Sequence, residues 1–597
     1  MADNSSSLQV EAAHGKRSKI KSVHVLLKFE LPLAGFMEQA QTESETLDVD
    51  FLWQCCGENE FSFEDLAREY YGKAPTAVEA AAVALRLHSV PIYFYRKGKG
   101  RYKAASAENL KAALAAQERK RQQALKIAEY VEQLKAHQLP PDFKEQLDQL
   151  LHEPDKNSLA YKALDEAATA CGMLHIKLLE ACGALPSAHD YHMGAFLREH
   201  FPGGIDFLPH RPLVVPDDLP QAEAPAFSID DATTTEIDDA FSVLQLPNGN
   251  ARVGIHIAAP GFGIKVGTEL DAIAMKRLSS VYMPGYKITM LPETAIGSFS
   301  LNEGKWVPAL SLYLEISPAL EIVAHHNRTE MVRVANNLRH DVLEPQFNEN
   351  TIDQDGSQHP YWERLLLLHR LAEVLEKARG KYDPTRPPQI DHSFYVEDGR
   401  VRIVERRRGA PMDKLVAELM IYTNSYWGGL LAQNEIPGIY RAQQGGKVYM
   451  TIHPDPHQGL GVAQYAWSTS PLRRAVDLVN QRQMLALLEG SEPPYSSTGE
   501  ALAVTMRDFE LAHNSYNEFQ NRMERYWCLR WLIQEQISEI PATVWRENLV
   551  RLDGLPFITK VSGLPELAPG SRVQLKVGRI DPLLMEMASR FVAKLDA

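Results

Sequence analysis

The sequence contains few cysteines, and their arrangement suits neither a disulfide framework nor a metal site. The five in 597 residues are Cys55, Cys56, Cys171, Cys182 and Cys528. Their number is odd, and their spacing matches no zinc or iron–sulfur pattern. We therefore expect reduced, mostly buried thiols and a cytoplasmic location, because a reducing cytosol keeps such thiols free.

Long apolar runs are missing as well. No stretch approaches the ~20 apolar residues that span a bilayer, and the N-terminus lacks the apolar core of a signal peptide. We expect no membrane partner. Hydrophobic residues make up 45% of the chain and charged residues 23%, which is ordinary for globular proteins. The chain is too long for one core, so we expect a monomer of several domains.

An excess of positive charge is the third absence, since the formal net charge is −14. This charge is unfavourable for binding nucleic acid, but such binding depends on where Lys and Arg cluster. Four basic runs occur, each alone typical of a solvated face: His14–Lys21, Arg96–Lys103, Arg119–Arg121 and Arg406–Arg408. The second run is the best candidate for stacking on bases because aromatic residues interleave it: Tyr93, Phe94, Tyr95 and Tyr102.

What the sequence does contain is a concentration of carboxylates between residues 230 and 239. No basic residue lies among the acids there, which are Asp230, Asp231, Glu236, Asp238 and Asp239. A solvated acidic loop is the simplest interpretation. Apolar flanks such as Phe227 and Phe241 favour burial instead.

Buried like charges raise one another's pKa and destabilise the fold unless a cation neutralises them. Mg²⁺ suits such a group because it prefers carboxylate oxygens and water. An EF-hand is excluded, since the loop lacks Gly at its sixth position and Glu at its twelfth. Two-metal phosphodiester chemistry is the leading hypothesis.

A second chemical pattern surrounds Arg473. Ser470 is a good N-cap, and Pro471 suits the first position of a helix. Arg473 would then lie in the first turn, where free N–H groups and the helix dipole favour an anion. Its guanidinium could hold a phosphate through two hydrogen bonds. The alternative is an ordinary surface pair between Arg473 and Asp477.

Three segments together resemble the RNB family, the RNase II and RNase R type 3′→5′ exoribonucleases. They are Ile229–Ala240, Val281–Gly285 followed by Met290–Pro292, and Ser468–Arg482. Their order is that of the family, and the resemblance runs from residue 206 to residue 532. It implies processive hydrolysis of single-stranded RNA to nucleoside 5′-monophosphates with two Mg²⁺ ions, Mn²⁺ being a possible substitute.

The resemblance also implies roles for individual residues. The metal ligands would be Asp230, Glu236, Asp238 and Asp239, with Asp238 the one most needed for cleavage. Arg473 would be the catalytic arginine. The RNA contacts would come from Tyr282 at the 3′-terminal nucleotide and from Arg473, Arg474 and Glu524. Glu418 and Asn424 match a helix near the site.

Some of these assignments have alternatives. Tyr282 could be a core tyrosine, and Glu524 could lie on a solvated helix face. The chain also departs from the family at Glu236, where the family usually has Asp. The extra methylene could shift a metal or make its contact water-mediated.

The fold class we predict is multidomain α+β. The expected domains are partial OB-like strands at 1–31, a winged-helix-like domain at 32–105, a helical connector at 106–205, a mixed α/β RNB catalytic domain at 206–537 and an OB-type RNA-binding β-barrel at 538–597. The winged helix could instead be a structural adaptor without RNA contact.

Local signals support these domains. Alternation predicts a strand over Ser22–Phe29, which alone is too short to close a barrel. Capping patterns at Ser62 and Thr76 predict helix starts, and a long helix is expected from Ser106 to His137. Asn248-Gly249 predicts a hairpin. The predicted C-terminal strands are Ala542–Leu552, Pro556–Val561 and Ser571–Arg579.

Two other functions compete with the exonuclease. One is a non-catalytic RNA-binding or regulatory protein that keeps the fold, an interpretation supported by Glu236. The other is a metal-dependent phosphodiesterase of small nucleotides, against which the winged helix and terminal barrel argue because small substrates need neither.

Overall fold

The computed structural model describes residues 3–4, 6–11, 15–30, 32–216, 218–354, 359–385, 389–496 and 499–595. The chain divides into two compact units, residues 1–186 and residues 187–597. This division lies inside the predicted helical connector, and the predicted domain boundaries stay predictions. His14, in the first basic run, lies outside the described residues. In the described ranges, no helix is long and apolar enough to cross a membrane.

The first unit combines small antiparallel sheets with a set of helices. Its strands are β1 (Asp3–Asn4), β2 (Ser7–Glu11), β3 (Arg17–Lys21), β4 (Phe61–Ser62), β5 (Phe94–Gly98) and β6 (Arg101–Ala104). Its helices are α1 (Leu33–Thr46), α2 (Val49–Gln54), α3 (Phe63–Tyr71), α4 (Ala77–Ser89), α5 (Ala107–Lys135), α6 (Leu147–His152), α7 (Leu159–Cys171) and α8 (His175–Ala181).

The N-terminal strands are not where alternation predicted one. Strands β1, β2 and β3 form a sheet that ends at Lys21, whereas Ser22–His24 is a 3-10 turn and the next six residues have no regular structure. The predicted strand over Ser22–Phe29 is therefore wrong. Leu27 packs against the helical core instead, and Phe29 stacks on Phe36 at 3.7 Å. Leu27 and Phe29 thus make side-chain contacts rather than strand pairing, and Val23 of the same alternating set is 63% exposed.

The predicted helix starts in this unit are confirmed. Ser62 and Thr76 each form a capping box, at the start of α3 and of α4. Ser106 caps the long helix α5 by accepting from the Asn109 N–H. Strands β4, β6 and β5, which flank α3 and α4 in the sequence, form a three-stranded sheet in that order. The winged-helix interpretation of these elements stays a prediction.

The second unit carries the larger sheets. Its strands are β7 (Ala226–Asp230), β8 (Asp239–Gln245), β9 (Ala251–Ala258), β10 (Val281–Met283), β11 (Tyr286–Ile288), β12 (Trp306–Ile316), β13 (Ile322–Arg339), β14 (Gln389–Glu397), β15 (Arg400–Arg408), β16 (Tyr440–Gln444), β17 (Lys447–Thr451), β18 (Glu539–Arg546), β19 (Leu549–Leu552), β20 (Ile558–Lys560), β21 (Arg572–Asp581) and β22 (Glu586–Lys594). Its helices are α9 (Ala188–His200), α10 (Glu269–Arg277), α11 (Glu293–Phe299), α12 (His340–Leu343), α13 (Trp362–Ala378), α14 (Pro411–Gln433), α15 (Ala475–Glu489) and α16 (Glu500–Gln534).

A closed five-stranded barrel in the order β12-β13-β7-β8-β9 forms the centre of this unit. The predicted hairpin at Asn248-Gly249 is confirmed, since β8 and β9 pair antiparallel and Gly249 has a φ of +86°. Phe227 on β7 pairs with Phe241 on β8, and both are fully buried. This pairing brings the end of β7 and the start of β8 together, and the carboxylates lie there. The architecture is mixed α/β, as predicted.

The C-terminal strands form one sheet in the order β20-β19-β18-β21-β22. The predicted single strand Ala542–Leu552 is wrong, because the chain turns at Glu547, whose φ is +48°, to form β18 and β19. Strand β22 was not predicted. An isolated bridge between Ser562 and Arg590 links the two ends of the sheet. Whether this sheet acts as an OB-type barrel stays a proposal.

The helix that follows the Ser-Pro-Leu-Arg segment begins later than predicted. Residues 471–473 form a turn, Arg474 is extended, and α15 starts at Ala475. The predicted first-turn position of Arg473 is therefore wrong. Backbone pairing with the segment before β10 holds this stretch extended: Ser280 N–H donates to Arg473 O at 2.9 Å, and Ala475 N–H donates to Leu278 O at 2.8 Å.

Candidate functional site

The strand ends at β7 and β8 place most of the predicted site residues around one cavity of about 1570 Å³. Asp230 ends β7 and Asp239 begins β8, so the loop between them runs along the cavity wall. The predicted residues in its lining are Asp230, Glu236, Asp238, Asp239, Tyr282 and Arg473. Arg474 and Glu524 are not part of this lining.

Asp238 is held through both of its carboxylate oxygens. Its Oδ2 accepts from Arg473 Nε at 3.0 Å, and its Oδ1 accepts from the Leu472 N–H at 2.9 Å. The residue is only 3% exposed. Burial raises the pKa of Asp238 to about 7, while Arg473 and the Leu472 N–H oppose this shift. The geometry fixes both oxygens of a carboxylate at the base of the cavity.

Arg473 presents its guanidinium to the cavity from the turn before α15. Its Nη2 donates to Ser470 Oγ at 2.8 Å and its Nε to Asp238. Although burial lowers the pKa of Arg473, the neighbouring Asp238 raises it overall, so the group stays charged. Among the described residues, no acceptor pairs with its Nη1. The two N–H bonds of Nη1 are available to phosphate oxygens.

The surface pair between Arg473 and Asp477, considered from the sequence, does not form. Asp477 is paired with Arg474 instead, whose Nε and Nη2 donate to it at 2.7 and 2.8 Å. The Arg474 guanidinium also stacks on Trp467 at 4.2 Å. Arg474 therefore braces the turn that carries Arg473, and its predicted RNA contact stays a prediction.

Asp230 and Asp239 are carboxylates with little compensating charge. Asp230 Oδ2 accepts from Ser228 Oγ at 2.5 Å, and its pKa is raised chiefly by burial. Burial first, and then repulsion by Asp230 and Asp238, raises the pKa of Asp239 to about 8. Within the described ranges, no donor is hydrogen-bonded to the Asp239 carboxylate. The largely uncompensated negative charge of these two carboxylates would favour a bound cation.

Glu236, like Asp238 but unlike Asp230 and Asp239, accepts hydrogen bonds on both of its oxygens. Oε1 accepts from Ser280 Oγ at 2.9 Å, and Oε2 accepts from Tyr282 OH at 3.1 Å and Lys287 Nζ at 3.3 Å. Its side chain is 2% exposed. With three donors and Lys287 Nζ 3.3 Å away, Glu236 has less uncompensated charge than Asp230 and Asp239, and its predicted metal role stays a prediction.

The fit of Mg²⁺ to this site therefore rests on Asp230, Asp238 and Asp239, which share a cavity and have raised pKa values. In the part of the chain that the structure describes, no three acidic, His or Cys side chains converge into a ready metal cage. These carboxylates would supply negative charge and hard oxygen ligands to a divalent cation, and their metal role stays a prediction.

Asp231 takes a structural position at the edge of the site. Its Oδ1 accepts from Arg406 Nη1 at 2.7 Å, and its backbone carbonyl accepts from Arg339 Nη1 at 2.8 Å. Arg406 also pairs with Asp413 at 3.4 Å. The arginine tethers the acidic loop to β15 and α14, which assigns part of the basic run Arg406–Arg408 to the fold.

Sequence reasoning missed three residues around the cavity. Ser280 and Lys287 contact Glu236 from either side of the Tyr-Met-Pro-Gly segment, and that segment was the available signal. Arg277, at the end of α10, lies over the Phe207 ring at 3.7 Å and donates to Thr289 O at 2.9 Å. Nothing in the local sequence distinguishes Arg277 from a surface arginine at a helix end.

The predicted residues on α14 and α16 do not line the cavity. Glu418 pairs with Arg379, whose Nε donates to it at 3.0 Å. Asn424 accepts from the Ser468 N–H at 2.8 Å, so it supports the segment that leads to Arg473. Glu524 accepts from Gln520 at 2.9 Å, and burial raises its pKa. A solvated helix face does not describe Glu524, and its predicted RNA contact stays a prediction.

Comparison with known proteins agrees with this geometry. Residues 219–449 match the family model described as RNB domain. A ribonuclease of Synechocystis sp., described as uncharacterized, is 28% identical over 450 residues, which cover 66% of this chain and 64% of the relative. Ribonuclease R of Thermotoga maritima is 28% identical over 317 residues, covering 50% of this chain and 43% of that protein.

Exoribonuclease 2 of Buchnera aphidicola subsp. Acyrthosiphon pisum is 27% identical over 329 residues, covering 44% of this chain and 49% of that protein. Across these relatives, the chain spans about half of their length. The matched parts include the acidic loop and the cavity-lining hairpin within the RNB model.

Solved structures show the same fold at low identity. The Dss1 exoribonuclease of Candida glabrata superposes with a TM-score of 0.63 at 15% identity, covering 98% of this chain and 93% of that chain. Mycoplasma genitalium RNase R gives 0.54 at 15%, covering 63% and 72%. Yeast Ssd1, described as a pseudonuclease, gives 0.52 at 17%, covering 66% and 59%. At such identities the likeness shows the fold alone. Residues 219–449 match the RNB domain model and contain two of the three segments, so the predicted resemblance to the RNB family is confirmed, while Ser468–Arg482 lies outside the matched residues.

Proposed function

We propose that this protein is a 3′→5′ exoribonuclease that hydrolyses single-stranded RNA processively to nucleoside 5′-monophosphates. The observation that carries the proposal is the double anchoring of Asp238 by Arg473 and Leu472 in a cavity lined by further carboxylates. Relatives named ribonuclease R and exoribonuclease 2 support RNA degradation as the activity. One fold neighbour, Mycoplasma genitalium RNase R, is described in complex with single-stranded RNA.

Arg473 would act on the reacting phosphate. Two of its nitrogens hold Asp238 and Ser470, which leaves Nη1 for a non-bridging phosphate oxygen. Its side chain is 41% exposed toward the cavity. A preorganised cation of this kind stabilises the charge that develops on the phosphorus oxygens during hydrolysis. Arg473 is thus the proposed catalytic arginine.

Asp230, Asp238 and Asp239 would hold the divalent cations, Mg²⁺ or Mn²⁺. Bound metal supplies an activated water and stabilises the leaving 3′-oxygen. Asp238 contributes most because its two hydrogen bonds fix the direction of its oxygens before any cation or substrate arrives. Removing its charge would therefore affect cleavage more than RNA binding.

Several surfaces would bind the strand. Tyr282 is 37% exposed in the cavity and would pack against the 3′-terminal nucleotide. On the C-terminal sheet, Trp545 is 51% exposed and lies beside the Arg546 guanidinium, an arrangement suited to stacking on a base. In the first unit, Tyr95 is exposed just before the basic run 96–103, whereas Tyr102 within that run is buried and cannot stack. We expect the enzyme to act as a cytoplasmic monomer.

A non-catalytic RNA-binding protein is the second candidate. Two observations favour it: Glu236 is occupied by three donors, and the described residues contain no ready three-ligand metal group. A phosphodiesterase of small nucleotides is less favoured, because the cavity of about 1570 Å³ exceeds the roughly 300–1,000 Å³ of small-ligand sites.

The deciding experiment follows 5′-labelled single-stranded RNA with Mg²⁺ on a sequencing gel. A ladder that shortens from the 3′ end to a short product supports the exonuclease. Intact RNA that still binds the protein supports the non-catalytic alternative.

A further inference from the structure

Glu236 connects the acidic loop to the β10–β11 hairpin. Its three hydrogen-bond donors, Ser280, Tyr282 and Lys287, all come from this hairpin or the residue just before it. Tyr282 and Lys287 are direct cross-strand partners, so their side chains lie on the same face. A single carboxylate therefore holds two cavity-lining side chains of one face.

The length of the glutamate side chain matters for these contacts. Shortening it by one methylene would withdraw the carboxylate by about 1.5 Å, one carbon–carbon bond. The hydrogen bonds to Ser280, Tyr282 and Lys287 measure 2.9, 3.1 and 3.3 Å. Such a withdrawal would carry them beyond hydrogen-bonding distance on an unchanged backbone. An aspartate at this position could not make them.

Tyr282 and Lys287 are placed to act on a nucleotide. The Tyr282 ring lines the cavity and is 37% exposed. Lys287 also lines it, with a side chain that is 32% exposed, and Nζ is further held by Thr235 Oγ1. The hydrogen bond from the Tyr282 hydroxyl restricts the rotamers of this side chain before RNA binds. Base stacking on the ring therefore costs less conformational entropy.

We propose that Glu236 is a positioning residue, which fixes the Tyr282 ring and the Lys287 ammonium to grip the 3′-terminal nucleotide of the RNA, and that it is not a metal ligand. This inference rests on the proposed function. The ring stacks on the terminal base, and the ammonium contacts a phosphate of the strand. The metal requirement then belongs to Asp230, Asp238 and Asp239 alone.

The test compares Glu236→Gln, Tyr282→Phe and the double variant with the unchanged protein. Glu236→Gln keeps the side-chain length but replaces one accepting oxygen by an NH₂ group. Tyr282→Phe keeps the ring and removes only the hydroxyl. Glu349→Gln is the matched control, because Glu349 is an exposed glutamate that does not line the cavity. Thermal melts establish that each variant is folded.

Two quantities are measured on a short labelled RNA: KM and the Mg²⁺ concentration that gives half-maximal cleavage. We expect each single variant to raise KM roughly 5- to 100-fold, the range of one lost or loosened stacking contact. The double variant should be no worse than the poorer single, because both changes break one link. The Mg²⁺ midpoint should stay unchanged in every variant, and Glu349→Gln should leave both quantities unchanged. A shift of about tenfold or more in the Mg²⁺ midpoint of Glu236→Gln, an unchanged KM, or additive effects overturn the proposal.

A binding measurement separates this inference from the proposed function. An RNA with a fluorescent base analogue at its 3′ end reports stacking without cleavage. If the unchanged protein quenches the analogue but cleaves nothing, the proposed function fails while the role of Glu236 can still be tested. Loss of quenching in both Glu236→Gln and Tyr282→Phe then supports the positioning role, and quenching retained in either variant overturns it.

Discussion

The Arg473 guanidinium donates from Nε to Oδ2 of Asp238 across 3.0 Å, although 235 positions separate the two residues in the sequence. The contact joins the acidic loop to the turn before α15. The two segments, which have separate sequence patterns, therefore belong to one site. Its chemical consequence is an oriented carboxylate beside a cation whose Nη1 has no acceptor among the described residues.

Replacing Arg473 by Lys should reduce turnover far more than RNA affinity. Lysine keeps the charge but cannot hold Asp238, Ser470 and a phosphate oxygen at the same time, because it lacks the planar fork. Loss of one preorganised donor typically lowers the rate by ~10²–10³. Single-turnover cleavage and equilibrium binding of one labelled oligonucleotide measure the two effects. Equal losses in both would mean that Arg473 merely holds RNA.

Removal of divalent metal should abolish cleavage. EDTA is expected to stop degradation, and added Mg²⁺ or Mn²⁺ should restore it. Asp239→Asn should raise the Mg²⁺ midpoint, because this carboxylate is buried near Asp230 and Asp238. Asp231→Asn is the control and should leave the midpoint unchanged, since Arg406 already pairs with Asp231. Full activity in excess chelator would refute the metal-dependent account.

Trp545→Ala should weaken RNA binding if the C-terminal sheet contacts the strand. Loss of one aromatic stacking platform typically costs about 1–3 kcal/mol of binding free energy. Trp306 provides a matched control, because it is 43% exposed on β12 of the central barrel. Equilibrium binding of single-stranded RNA is measured for both variants. If Trp545→Ala binds as tightly as Trp306→Ala, the sheet does not bind RNA at this position.

Asn480→Ala should destabilise the fold around the Arg473 turn. Asn480 is fully buried, accepts from the Ile439 N–H at 2.7 Å and donates to Trp467 O at 2.7 Å. Each buried backbone group left without a partner costs about 1–3 kcal/mol. Denaturant unfolding should therefore show a lower free energy of unfolding than the exposed control Asn521→Ala. Equal free energies of unfolding for the two variants would mean that the hydrogen bonds of Asn480 contribute little to stability.

Sequence-based prediction succeeded best where the contacts that determine the local structure join residues close together in the chain. The capping boxes at Ser62 and Thr76 and the Asn248-Gly249 turn depend on residues within four positions, and all three were predicted. The acidic loop was recognised because apolar flanks surrounded its carboxylates.

Prediction failed where distant pairing decided the backbone. Ser470 and Pro471 have the composition of a helix start, yet Arg473 pairs with Ser280, 193 positions earlier by chain number, and the helix begins at Ala475. For Glu236, the metal-ligand role that the resemblance implies stays a prediction. The donors to Glu236 are brought to it by the β10–β11 hairpin, which no local pattern of the loop reveals.

The most direct test of the account is single-turnover cleavage of 5′-labelled single-stranded RNA by Asp238→Asn. Asparagine keeps the size and one accepting oxygen but removes the charge that Arg473 and the Leu472 N–H orient. We expect the cleavage rate to fall by roughly 10²-fold or more, while RNA affinity measured on the same oligonucleotide stays near that of the unchanged protein. A variant that cleaves at a near-normal rate would contradict the account and make the acidic loop a structural element.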